Sequence, residues 1–188
     1  MSGMAQAKRP TTGRDMVLSL VVILVPLAII VAIFGQGPRD AEVETVDWKP
    51  VAIRAGQQAP YQVLAPVELP AGWRATRVSW TRVGQPDPTG SDSVRNRWQL
   101  GVLTDSDLYI ELDQGDIRAK EMVDDLSRQG APDGTSTVDG RTWKRLVTDD
   151  DRTRSLVLAT PRVTAIVAGD VSYSLLETYV GLLQPQKS

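Results

Sequence analysis

The chain has 188 residues, 41% of them hydrophobic and 23% charged, with a formal net charge of −2. This is a globular composition, long enough for one domain with a real core after an anchor is set aside. Cysteine and histidine are both absent, which excludes disulfides, thiolate nucleophiles, Fe–S clusters, thiolate zinc sites, a lipid-modified cysteine, Ser-His-Asp triads and the usual neutral-pH proton shuttle.

The charge is unevenly spread. Lys8, Arg9 and Arg14 against Asp15 give the first fifteen residues +2, which leaves −4 for the rest. A mildly acidic domain is a poor nucleic-acid binder, because affinity for phosphate backbones comes mainly from basic residues. Residues 16–34, MVLSLVVILVPLAIIVAIF, carry no charge, and Ser19 is their only polar side chain. About 20 such residues span a bilayer core as a helix. Pro26 in mid-span is tolerated in lipid, where it can kink the helix. A buried core helix would need an equally apolar surface to cover it on every side, and no other segment supplies one. A cleaved signal peptide has a shorter apolar run and a small-x-small site, whereas Ala32-Ile33-Phe34-Gly35-Gln36-Gly37 offers no good pair of small residues. An uncleaved transmembrane helix over 16–34 is therefore expected. Lys8, Arg9 and Arg14 precede it, while Arg39 and then Asp40, Glu42, Glu44 and Asp47 follow, so residues 1–15 are expected in the cytoplasm and the rest outside.

Residues 35–59 read as a tether, rich in glycine and proline and weakly periodic, with a short strand expected at 51–53. The domain is expected over 60–188. It begins with an apolar run at 61–65, then Leu69-Pro70-Ala71-Gly72-Trp73 as a turn, then a strand over 74–83. Residues 84–96, with Pro86, Asp87, Pro88 and Gly90, form a loop of turn-formers. Clean alternation at Trp98, Leu100 and Val102, and again at Leu108, Ile110 and Leu112, predicts a hairpin connected by 104–106. Asp116 is placed to cap a helix over 117–129, striped by Ala119, Met122, Val123 and Leu126 and ended by Gly130. Asp139-Gly140 marks a two-residue hairpin turn between strands at 135–138 and 142–148. A third hairpin, 154–160 and 163–168, is nearly continuous in apolar and small residues, as central strands are. The last element is a helix over 173–183, with Ser174 and Glu177 in capping-box spacing. Strands, helix, strands, helix, with hairpins throughout, predict an α+β domain. Its antiparallel sheet is built from hairpins, with two helices packed on one face, and one transmembrane helix precedes it.

The run Pro60-Tyr61-Gln62-Val63-Leu64-Ala65-Pro66, followed by Leu69-Pro70-Ala71-Gly72-Trp73-Arg74-Ala75-Thr76 and later Gly140-Arg141-Thr142-Trp143, resembles a family of actinobacterial single-pass membrane proteins defined by a domain of unknown function. The resemblance covers about 14–183 and implies an actinobacterial plasma membrane and no known activity. The order of elements is also similar to that of PsbP-like α/β/α sandwiches, a scaffold used for protein binding more than for catalysis.

Individual residues offer little chemistry. Asp105, Asp107, Glu111 and Asp113 do not make a calcium loop, since three of them lie along one strand over roughly 20 Å. Asp149-Asp150-Asp151 reads as a solvated turn. Any two carboxylates can meet in space, so a carboxylate-dependent hydrolase stays as an alternative. Arg74, Arg77, Arg82, Arg95 and Arg97 surround the 84–96 loop and form a candidate binding surface for phosphate or carboxylate groups. Ordinary surface arginines paired with acids are the other reading. Among the tryptophans, Trp98 is expected in the core and Trp48 near the lipid interface; Trp73 and Trp80 suit core or cleft. The preferred reading is a non-enzymatic, membrane-anchored envelope protein without cofactor or metal. Its partner would be an envelope protein or an anionic wall or lipid component. A small-molecule or lipid-binding module with an internal pocket is the remaining alternative.

Overall fold

The computed structural model describes residues 13–34, 44–87 and 89–186. The expected tail up to residue 12 and the first part of the tether, 35–43, lie outside them. Two compact units result, Met1–Glu42 and Val43–Ser188.

The first unit contains helix α1, Gly13–Phe34, which takes in the whole apolar run with Pro26 inside. Its described side chains from 16–18 and 20–27 are exposed in the chain. Among the described residues, no helix is long and apolar enough to cross a membrane.

The second unit is α+β. After α2 (Lys49–Gln58) and β1 (Leu64–Pro66) come β2 (Arg74–Thr81), β3 (Arg97–Leu103) and β4 (Tyr109–Gly115). Helix α3 (Ala119–Leu126) leads to β5 (Ala131–Val138), β6 (Arg141–Val147), β7 (Arg154–Ala159) and β8 (Thr164–Gly169). Helix α4 (Tyr173–Gly181) and β9 (Leu183–Pro185) complete it. One seven-stranded antiparallel sheet runs β2-β3-β4-β8-β7-β6-β5, and β1 pairs with β9 as a separate two-stranded sheet. The expected hairpins are all present. Asp139 and Gly140 both have positive φ, +49° and +73°, as their two-residue turn requires.

Strand alternation divides the core in two. Trp98, Leu100, Ile110, Leu112, Leu156 and Val167 lie on one face with Leu176, Tyr179 and Val180 of α4 and Ala52 and Ala55 of α2. Val157, Ile166 and Ala168 lie on the other with Met122 of α3. Helices thus cover both faces, not one as expected, and among the described residues of this unit there are three rather than two. The meander ending in α3 and the one ending in α4 meet at β4 and β8. Their helices lie on opposite faces, so no rotation normal to the sheet relates the halves.

Four local expectations change. Residues 51–53 are helical, not a strand: Pro50 fills an opening position of α2, where its missing N–H costs nothing. Trp48, Ala52 and Ala55 form its buried stripe, so Trp48 is a core residue at 7% exposure rather than an interface anchor. Asp116 does not cap α3. Arg118 occupies the cap position with φ +54°, and the Asp116 carboxylate instead accepts the Asn96 backbone N–H (3.0 Å) and Nδ2 (2.6 Å). At α4 the cap is Ser172, whose Oγ accepts the Leu175 N–H at 3.3 Å. The expected capping partner Glu177 turns to Ser136 and Arg145, at 2.6 and 2.5 Å, tying α4 to β5 and β6.

Gly169 sits where β8 passes β4, and a Cβ there would lie 2.5 Å from the Tyr109 carbonyl oxygen. That atom is backbone and cannot swing aside. Gly169→Ala should therefore part the two central strands and lower stability by about 1–3 kcal/mol, read as a lower urea midpoint for the full chain in detergent. An unchanged midpoint would show that the junction has slack.

Candidate functional site

Two surfaces of the domain concentrate polar chemistry. The first is the sheet face formed by β2, β3 and β4 on the α3 side. β4 places Glu111 and Asp113 there, and Asp113 is fully buried. Arg97 grips it: Nε donates to both carboxylate oxygens at 3.0 and 2.9 Å, and an Nη joins the second. Burial pushes the Asp113 carboxyl up, against the pull of the Arg97 fork. Glu111 accepts from Gln99 Nε2 (3.3 Å) and Arg77 (3.4 Å) and lies 3.5 Å from the Tyr109 hydroxyl. Burial also raises Glu111, and with Glu111 nearby it pushes Tyr109 up to about 12.

The five candidate arginines are thereby placed. Arg74 pairs with Asp107 at 2.5 Å, Arg77 with Glu111, and Arg97 with Asp113. Arg95 donates to the Arg118 carbonyl at 3.2 Å. Arg82 is exposed beyond the end of β2. Four of them thus meet acceptors of the chain itself. A cleft of about 380 Å3 beside this face, between α3 and the β4–β8 junction, is lined by Asp107, Glu111, Asp125, Arg128 and Asp170. Glu111 and Asp170 shift in opposite directions, as an acid–base pair would. Asp170, however, accepts from Thr153 (2.6 Å) and Arg152 (3.0 Å) and pairs with Arg128 (3.4 Å). Its carboxylate, like that of Glu111, is already engaged.

The second surface is a groove of about 750 Å3 on the opposite face. Its near wall is the segment 59–64, which follows α2 and crosses the ends of the strands as a strap. Gln114, 1% exposed, holds that strap: Oε1 accepts the Leu64 N–H at 2.7 Å and Nε2 donates to the Gln62 carbonyl at 3.3 Å. The Tyr61 hydroxyl reaches the Asn96 carbonyl at 3.0 Å, and Trp98 Nε1 donates to the Leu64 carbonyl at 3.0 Å. The floor is Leu64, Leu158, Val163 and Ala165, and the far wall is the β7–β8 turn with Thr160, Pro161 and Arg162. Arg141 and Gln186 close one side. Volume and lining suit a small-molecule or cofactor-sized ligand. The sequence marks this groove nowhere, because its walls come from segments up to 130 residues apart that no periodicity links.

Residues 8–183 match the family described as "Protein of unknown function (DUF4245)". The chain belongs to that family. No curated protein matches this DUF4245 chain. Among solved structures, "Crystal structure of MucB in complex with MucA(peri)" is similar at 16% identity with a TM-score of 0.38, covering 66% of this chain and 37% of that one. The MucA/MucB complex of Pseudomonas aeruginosa gives 16% identity and a TM-score of 0.37, covering 68% and 37%. The DUF4245 chain therefore spans little over a third of either structure, and so partial a likeness does not extend to what MucB binds.

Two outcomes test these sites. Gln114→Met keeps the volume but removes the donor to the Gln62 carbonyl and leaves the buried Leu64 N–H bare, the latter at about 1–3 kcal/mol. Hydrogen exchange at Leu64 should accelerate while exchange in β7 and β8 is unchanged; equal protection at Leu64 would mean the strap is held otherwise. The second concerns Glu111. Its folded-state pKa is raised above the ordinary 4.5, so the folded protein holds that proton more tightly. Its contribution is present below the unfolded value and is lost as pH rises through the folded value. Glu111→Gln should therefore gain on the wild type in urea stability from pH 4 to pH 7. Parallel curves would mean that Glu111 titrates alike in the folded and unfolded chains.

Proposed function

We propose that this protein is a non-catalytic binding module of the bacterial cell envelope. Its N-terminal helix holds it in the plasma membrane, N-terminus inside, and presents the α+β domain on the extracytoplasmic side. The anchor rests on the sequence: 19 uncharged residues, basic before and acidic after.

The groove carries the binding half of this reading. Among the described residues, its walls contain no carboxylate, lysine or serine. Its two hydroxyls are engaged by backbone carbonyls, Tyr61 by Asn96 and Thr160 by Val163 at 2.9 Å. Nucleophilic or general acid–base catalysis requires a reactive group free to meet a substrate, and this lining supplies none. An apolar floor with a few polar groups around it is what a binding site needs.

The test uses the full chain expressed in its own membranes. It should stay with the membrane through an alkaline wash; release would refute the anchor. Native mass spectra of the detergent-purified protein should carry a bound mass that is absent from Leu158→Trp, in which the indole fills the groove. Identical spectra from the two proteins, with both folded by circular dichroism, would refute the groove as the binding site.

A further inference from the structure

Resting on the groove as the binding site, we infer that its ligand is an anionic amphiphile of the lipid class, with its apolar chain on the floor and its acidic headgroup at the arginine end. Three observations converge on this chemistry.

The first is charge. Among the described residues, the groove is lined by two arginines, Arg141 and Arg162, and by no acid, although the 188-residue chain has more acids than bases. On the opposite face, Arg74, Arg77 and Arg97 each have a carboxylate partner. Arg162 is exposed in the β7–β8 turn, and among the described residues its guanidinium has no ion-pair or hydrogen-bond partner. Arg141 gives one N–H to the Leu183 carbonyl at 3.2 Å and retains four donors. Guanidinium forks match phosphate and carboxylate oxygens.

The second is the floor. Leu64, Leu158, Val163 and Ala165 form a continuous apolar strip ending at the turn that carries Arg162. A free inorganic anion has no use for that strip; an acyl chain does, at about 0.8 kcal/mol per methylene removed from water.

The third is the strap backbone. An extended peptide binds a sheet edge through main-chain hydrogen bonds. Here the groove-side groups are already taken: the Leu64 N–H by Gln114, the Leu64 carbonyl by Trp98, the Gln62 carbonyl by Gln114 and the Val63 carbonyl by the Gln186 N–H at 2.8 Å. β8 is paired on both edges, and β7 on both as far as Val157. A ligand with no backbone to satisfy fits this wall, and a peptide strand does not.

The test reconstitutes the full chain in phosphatidylcholine vesicles doped with a chain-labelled photoactivatable phosphatidylglycerol or, separately, phosphatidylcholine. Crosslinks are mapped by mass spectrometry. The anionic probe should label the floor around Leu158 and Val163 about tenfold more than the neutral one, the ratio that one charge-assisted hydrogen bond supplies. Arg162→Gln, at an exposed position, should bring the two probes level, and Leu158→Trp should abolish groove labelling by both. Inorganic phosphate should not displace the lipid probe. Equal labelling by the two probes, or a ratio unchanged in Arg162→Gln, overturns the anionic assignment while leaving the groove as a binding site. Displacement by phosphate alone identifies a free anion as the ligand, and labelling confined to α1 removes the lipid; either overturns the inference.

Discussion

β4 is covered on both faces, and its sequence Tyr-Ile-Glu-Leu-Asp-Gln-Gly sends two carboxylates and an amide into that cover. Buried polar groups must find partners or cost several kcal/mol. Much of the domain's polar architecture answers this demand. Asp113 calls for Arg97, Glu111 for Arg77 and Gln99, and Gln114 for the backbone of the strap. Removing one partner of such a pair is far more damaging than replacing both, because the remaining charge stays buried. β4 therefore fixes the registers around it: a slip by one residue would turn both acids onto the apolar face and Leu112 onto the charged one.

The same demand explains the arginines around the 84–96 loop. Counted along the chain they form a cluster of positive charge. In the fold, three are the counter-charges of β4 and of the turn before it. An external anion arriving there would have to displace a carboxylate already in hydrogen-bonding geometry. At the groove it would meet Arg162 with no such competitor. Arginines can thus mean opposite things on the two faces, and the deciding quantity is the supply of acids on the same face.

How much of this could be read from the sequence follows the range of each interaction. The hairpins could, because alternation and Asp139-Gly140 act over a few residues. So could α3 and α4, whose leucine and methionine stripes repeat at helical spacing. α2 could not: its buried stripe is Trp48, Ala52 and Ala55, and alanine carries almost no hydropathy signal, while Pro50 and Gly56 suggest a linker. β1 and β9 are three residues each and gain their pairing across more than 110 residues. Caps at Asp116 and Ser174 satisfy the spacing rule, but each loses to a neighbour, since Asn96 draws Asp116 away and Ser172 has the extended φ and ψ that a cap requires. The arginine partners and the groove depend on which strands become adjacent, and spacing does not encode adjacency.

The strap is where these constraints meet. A chain that packs by apolar contact alone closes down on the surface beneath it, because an unfilled space forfeits dispersion on every side. The strap packs Tyr61, Val63 and Leu64 into the core but is also held at fixed polar lengths: two bonds of Gln114, one of Tyr61 and one of the Trp98 indole. Each spans from the sheet to a backbone group or from the strap to one, and each has geometric limits that a methyl contact lacks. Beyond this suspension the apolar floor continues uncovered to the Arg162 turn. The groove is therefore maintained by hydrogen bonds that would have to break for it to close, which is how a small domain keeps such a groove open against its own hydrophobic effect.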